Sequence, residues 1–176
     1  MVRRTPTSPL GFRVLYVFLV FDHARREARH FAVTANPSME WVLQQLREAM
    51  PFGEQPRCLL RDNDGIFGFG VPAFLVSCGI QEVRTAYRSP WQNPYIERMI
   101  GTLRRELLDH VIVLNQRHLE RLLREYLEQY YHVARPHQGL KGETPIEQQE
   151  RPIGTGELIS VPVLGGLHHR YYRAAA

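Results

Sequence analysis

Cysteine is scarce in this chain of 176 residues: Cys58 and Cys78 stand far apart and belong to no Cys-x-x-Cys pair. That pattern excludes a disulfide framework and a zinc knuckle and fits a reducing cytoplasm. Lysine is scarcer still. Of 22 basic residues only Lys141 is a lysine, so the positive charge rests on arginine, whose planar fork suits phosphate. A nucleic-acid partner and biased codon usage account for this excess equally well. Long apolar runs are missing too. Val14 to Phe21 is continuously apolar for only eight residues, is separated from Met1-Val-Arg-Arg by Pro6, Pro9 and Arg13, and leads into Asp22-His-Ala-Arg-Arg rather than a small-residue cleavage site. It is too short to span a bilayer and wrongly flanked for a secretory signal, so it reads as a strand covered on both faces. No internal repeat occurs, and no acidic residue precedes Asp22.

What is present describes a globular protein. Hydrophobic residues make up 44% and charged residues 23%, with a net charge of +4, a profile that one domain with a real core would have. After the apolar strand, a turn at Asp22 to Arg26 leads to a second strand near Arg29 to Thr34, and the pair reads as a hairpin. Asn36-Pro37 opens a helix with Met39, Val42, Leu43, Leu46 and Met50 at helical spacing. Arg57 to Arg61 reads as a short strand ending in Asp62-Asn-Asp-Gly65, and ligands gather at the carboxyl ends of strands in open α/β sheets. Pro72 and Gly79 limit the apolar segment after it to a short helix. Ile80 to Thr85 is a further strand. Asn115 can cap an amphipathic helix running to about Tyr131. From Arg151 the sequence is rich in Pro, Gly and isolated hydrophobics, which predicts a weakly ordered tail over 151–176 behind a core of residues 1–150.

The most informative stretch runs from Arg88 to Asp109. Asn93 is suited to cap a helix with its side-chain oxygen, and Pro94 suits the first helical position because no N–H is needed there. An apolar stripe follows at Ile96, Met99, Ile100, Leu103 and Leu107. Glu97 falls on its flank beside Gly101 and Arg104, with Arg98 and Arg105 further toward solvent. An ordinary surface ion pair explains such a glutamate on its own. Asp62 and Glu97 lie about 35 residues apart. Asp64, beside Asn and Gly, reads as a turn cap, and Ala73 at the twelfth position argues against a calcium loop. His132 and His137 have no metal-site spacing and read as packed or surface histidines.

Ser89-Pro-Trp-Gln-Asn-Pro-Tyr-Ile-Glu-Arg98, Gly101-Thr-Leu-Arg-Arg-Glu106 and Tyr131-His-Val-Ala-Arg-Pro-His-Gln-Gly-Leu140 together resemble the catalytic core of insertion-sequence transposases and retroviral integrases of the Asp-Asp-Glu type. The resemblance implies an α/β, ribonuclease-H-like mixed sheet flanked by helices, and a triad that holds two Mg²⁺ or Mn²⁺ ions for phosphodiester cleavage and strand transfer. It places the second catalytic and metal-binding Asp on Asp62 and the Glu on Glu97. It puts Arg88, Arg98, Arg104 and Arg105 near a DNA backbone, with Asn93 in the same loop, while Trp91 and Tyr95 either stack on bases or anchor the loop. DNA and a second copy, or a full-length transposase, are the implied partners, in the cytoplasm or on the nucleoid, with no membrane. The family's first Asp falls near Met1 to Thr5, where no acid stands, so the first strand is expected to be partly or wholly missing. Asp22 is the nearest substitute. The expectation is a truncated core with impaired activity; the alternative is a non-catalytic remnant that binds DNA or the intact transposase.

Overall fold

The structure, a computed structural model, describes residues 2–5, 14–51, 53, 55–146 and 156–174. The chain divides into two compact units. One comprises residues 1–21 and 29–116, the other residues 22–28 and 117–176.

The first unit starts with strand β1 (Val2–Thr5), which pairs antiparallel with β2 (Leu15–Asp22), Val2 opposite Phe18 and Thr5 opposite Leu15. A first strand therefore exists as four residues, and its sequence Val-Arg-Arg-Thr brings no carboxylate. β3 (Glu27–Thr34) lies on the other side of β2, as the short connection between them requires. Helix α1 (Met39–Ala49) follows. Its N-cap is Ser38, whose hydroxyl accepts from the Trp41 N–H at 3.2 Å, and not Asn36-Pro37 as the sequence suggested. Serine at that point satisfies a donor that the first turn leaves unpaired, which Asn36, two residues upstream, does not reach.

β4 (Cys58–Arg61) and β5 (Gln81–Arg84) form a separate parallel pair, Arg61 opposite Arg84. Parallel neighbours need a crossover, and helix α2 (Gly70–Ser77) supplies it. Pro72 sits in its first turn, where its missing N–H costs nothing. Gly79, at φ +71°, closes the helix: its N–H donates to Val76 and that of Ile80 to Leu75, a pair of bonds that requires the left-handed conformation glycine adopts freely. The core of this unit gathers Phe18, Val42, Leu46, Met50, Phe67, Val71, Leu75 and Ile80. Phe18 meets Trp41 edge-on at 5.9 Å. Helix α3 (Pro94–Glu106) begins at Pro94 as read, and buries Ile96, Met99, Thr102 and Leu103.

The second unit carries α4 (Gln116–Tyr126), which continues into a π-helical turn at Leu127–Tyr131 and buries Leu119, Leu122, Leu123 and Tyr126. Residues 151–155 and 175–176 of the expected tail lie outside the described residues. Residues 156–174 carry an antiparallel hairpin of β6 (Leu158–Val163) and β7 (His168–Arg173), with Val163 almost fully buried. Pro162 is compatible with it because in a two-stranded ribbon half the backbone N–H groups point away from the partner strand, and a proline is tolerated at such a position. No helix among the described residues is long and apolar enough to cross a membrane.

Candidate active-site cleft

The parallel pair builds the site. β4 ends at Arg61 and β5 at Arg84, so residues 62–65 and 85–90 emerge side by side, and with Asn93 and Glu97 they line one cleft of about 550 Å³. Asp62 and Glu97 are thus brought to the same concavity from a strand end and a helix.

Arg61 sets the strand end. It is buried at 6% exposure, and its Nε donates to Glu82 at 2.6 Å while the same guanidinium pairs with that carboxylate through Nη2. Its Nη1 donates to the Asp62 carbonyl at 2.9 Å, and the group lies 4.7 Å above the Phe67 ring. A buried cation held on three sides fixes the backbone of the residue that follows it.

The two candidate aspartates divide their roles. Asp64 caps the next turn, its Oδ1 accepting from the Ile66 N–H at 3.0 Å, as the sequence suggested. Asp62 Oδ1 is buried without a hydrogen-bond partner. Burial raises the Asp62 pKa, and the neighbouring Asp64 carboxylate adds to the rise. A raised folded-state pKa on an acid means that its charge opposes folding above that pKa. Asp62→Asn is accordingly expected to raise the melting temperature of the metal-free protein at pH 7, with the gain shrinking as pH falls. Thermal melts of both forms at pH 7 and pH 4 measure this, and an unchanged or lowered midpoint at pH 7 would contradict it.

Asn93 departs from its expected capping role. Its side chain makes no cap bond, and its Oδ1 is buried without a partner at the cleft. The reason is the 3₁₀ turn Pro90–Gln92 just before it: the Asn93 N–H donates to Pro90 O at 3.0 Å and its backbone adopts φ −127°, ψ 63°. Gln92 secures the loop by accepting the Ala86 N–H at 2.7 Å.

Of the residues assigned to DNA, Arg88 and Asn93 line the cleft. Arg88 holds a left-handed backbone, φ +54°, with its guanidinium over the Tyr87 ring. Trp91, Tyr95 and Arg98 are exposed outside the lining. Arg104 faces Asp109 at 3.7 Å, and Arg105 folds over Gly101, its Nη1 3.0 Å from where a Cβ would stand. Asp22 serves its own turn, Oδ1 accepting from Ala24 at 2.8 Å and Arg25 at 3.0 Å. Sequence reasoning missed Thr85, Tyr87 and Ser89. They follow β5, and the rule that ligands gather beyond strand ends, applied to both members of a parallel pair, would have found them.

Among the described residues no group of three or more His, Cys, Asp or Glu side chains is arranged to hold a metal ion. The donor set at the cleft is nonetheless of the right kind for a hard divalent cation: the carboxylates of Asp62, Asp64 and Glu97 line it, Asp64 Oδ1 being taken by the turn and Asp62 Oδ1 being buried without a hydrogen-bond partner.

Residues 78–145 match the family model of the integrase core domain. Glu97 lies inside that region and Asp62 outside it. Among solved structures the chain is similar to one from the simian T-cell lymphotropic virus intasome, at 14% identity over 99% of this chain and 65% of that one, with a TM-score of 0.62. The fold is that of an integrase core. Similar too are the HTLV-2 integrase catalytic core domain, solved in complex with magnesium in a trimeric form, at 15% identity, 82% and 89% coverage and TM-score 0.55, and the BIV integrase catalytic core domain, at 16%, 82%, 88% and 0.52. The chain therefore spans less than two thirds of the intasome chain and most of the two isolated cores. No curated protein matches it. The ribonuclease-H-like α/β class read from the sequence is the fold observed.

Proposed function

We propose that this chain is a DNA-binding core of the transposase and integrase type, with Asp62 and Glu97 as the carboxylates that hold Mg²⁺ or Mn²⁺ against a DNA phosphodiester. The observation that carries the reading is the arrival of Asp62 and Glu97 at one cleft, with Asp62 Oδ1 buried and lacking a donor. A divalent cation bound there supplies charge neutralisation on the attacked phosphate and acidifies the attacking hydroxyl or water. The chain's own residues do the rest. Arg61 holds Asp62 in place through its carbonyl, the Gln92 bond to Ala86 shapes the loop, and Arg88 meets a DNA phosphate at the cleft wall. Asn93 offers a side-chain amide to a sugar or phosphate oxygen. Outside the lining, Arg98, Arg104 and Arg105 extend the basic surface along α3, and Trp91 and Tyr95 present rings beside it. Strand transfer is impaired, because β1 contributes no carboxylate and two such ligands hold a catalytic cation pair weakly. This same feature favours a second reading, a non-catalytic partner that occupies DNA or joins an intact transposase.

Fluorescence anisotropy with a labelled DNA duplex tests the reading. Binding is expected to fall steeply between about 50 and 200 mM salt, and Arg88→Glu is expected to weaken it about tenfold. A flat salt response, or no binding at low salt, would remove the DNA assignment. Labelled duplex incubated with Mn²⁺ then separates the two readings, since cleavage abolished by Glu97→Gln belongs to the first alone.

A further inference from the structure

We propose that the β6–β7 hairpin is a binding surface for single-stranded nucleic acid, made of residues other than those of the cleft. β7 reads His168-His169-Arg170-Tyr171-Tyr172-Arg173, two pairs of ring side chains each followed by an arginine. Strand geometry sends alternate side chains to opposite faces, and directly paired residues share a face. Val163 pairs with His168, and both are on the packed side: Val163 is 1% exposed, and the His168 ring stacks on Tyr130 at 4.1 Å and 11°. That contact fixes which face turns outward. The outward set is Leu158, Ser160 and Pro162 on β6 with Arg173, Tyr171 and His169 opposite them.

This face has the chemistry of a strand of bases and phosphates. Tyr171 is 64% exposed, so its ring is open to stacking, and it lies 6.2 Å from the ring of half-buried His169 at 32°. Arg173 flanks them. One of its N–H groups donates to Gly156 O at 3.2 Å, which steadies the side chain and leaves further donors for phosphate. None of the six outward residues is acidic. Aromatic rings that accept any base, combined with cations that track the backbone, are how single strands are held without sequence preference, and a duplex keeps its base faces stacked away. The shared chemistry suits DNA and RNA alike.

The test uses the full chain and labelled oligothymidylate of about 20 nucleotides, with oligouridylate and a duplex of equal length as the other arms. Tyr171→Ala is expected to weaken oligothymidylate binding about tenfold. Ser160→Glu, at an exposed position, places one negative charge in the middle of the face and is expected to do the same while leaving the melting temperature unchanged. Tighter binding of oligothymidylate than of oligouridylate identifies the DNA strand as the ligand, and the reverse identifies RNA. The proposal is overturned if both variants bind single strands as the parent does, or if the duplex is bound as well as the single strand and Tyr171→Ala affects both equally. Arg88→Glu keeps the two sites distinguishable: hairpin variants that lose single-strand binding while Arg88→Glu keeps duplex binding uphold the hairpin and overturn the cleft.

Discussion

Arg61→Ala is expected to cost about 3 kcal/mol, a fall of roughly 6–10 °C in melting temperature, the largest effect of any single change near the cleft. The guanidinium is almost fully withdrawn from water and is satisfied by Glu82, by the Asp62 carbonyl and by the face of Phe67. Truncation leaves Glu82 without its counter-charge and the Asp62 carbonyl without its donor, and it opens a void over Phe67. Desolvating an unpaired carboxylate dominates this sum, with Glu82, a quarter exposed, recovering part of it by turning to water. The diagnostic experiment is the double change Arg61→Met with Glu82→Leu, which removes both charges and keeps the volume. It is expected to recover most of the loss in urea unfolding, because a buried ion pair is replaceable by apolar packing while half of one is not. Equal destabilisation by the single and double changes would show that packing alone, and not the pair, is at stake.

The second large effect concerns pH. His132 in the second unit is 7% exposed, and its Nε2 accepts the Ala28 N–H at 3.0 Å. An acceptor nitrogen carries no proton, so the folded ring is neutral. Burial lowers its pKa to about 4, with the nearby His137 adding to the fall. His137 is itself committed, donating from Nε2 to Tyr131 O at 3.2 Å. An unfolded histidine titrates near 6.5, so between about pH 6.5 and pH 4 the unfolded chain binds a proton that the folded chain refuses. Stability is therefore lost as pH falls through that window, by on the order of 2 kcal/mol from this residue. His132→Gln keeps an oxygen to accept the Ala28 N–H and has no proton to gain. Its unfolding midpoint between pH 7 and pH 4.5 is expected to fall by several degrees less than the parent's. Parallel profiles for the two would contradict the assignment.

How legible the molecule is from its sequence depends on how local each signal is. Helix α3 is readable because Asn93-Pro94 and an apolar stripe at helical spacing are contained in one stretch, and Gly79 announces the end of α2 in the same way. Asn93 misleads for a related reason. Its residue type favours capping, yet the turn at Pro90–Gln92, held by backbone bonds, sets its dihedrals and leaves its oxygen at the cleft. The far wall of the cleft, Thr85 to Pro90, depends on β4 and β5 being neighbours, which no local pattern states. Arg61 was readable only as the last residue of a strand, because its partner Glu82 lies across that pairing. The hairpin beyond residue 156 was obscured by Pro162 and the surrounding glycines, which argue against a central strand and say nothing against a ribbon.

Mn²⁺ binding measures directly whether Asp62 and Glu97 form one cation site. Titration of the full chain with Mn²⁺, followed by electron paramagnetic resonance of the free ion, needs no DNA and no activity. The prediction is weak but saturable binding by the parent chain, lost in Asp62→Asn and lost again in Glu97→Gln, with both variants folded. Binding that survives either substitution, or a parent chain that takes up no Mn²⁺ at all, would contradict it.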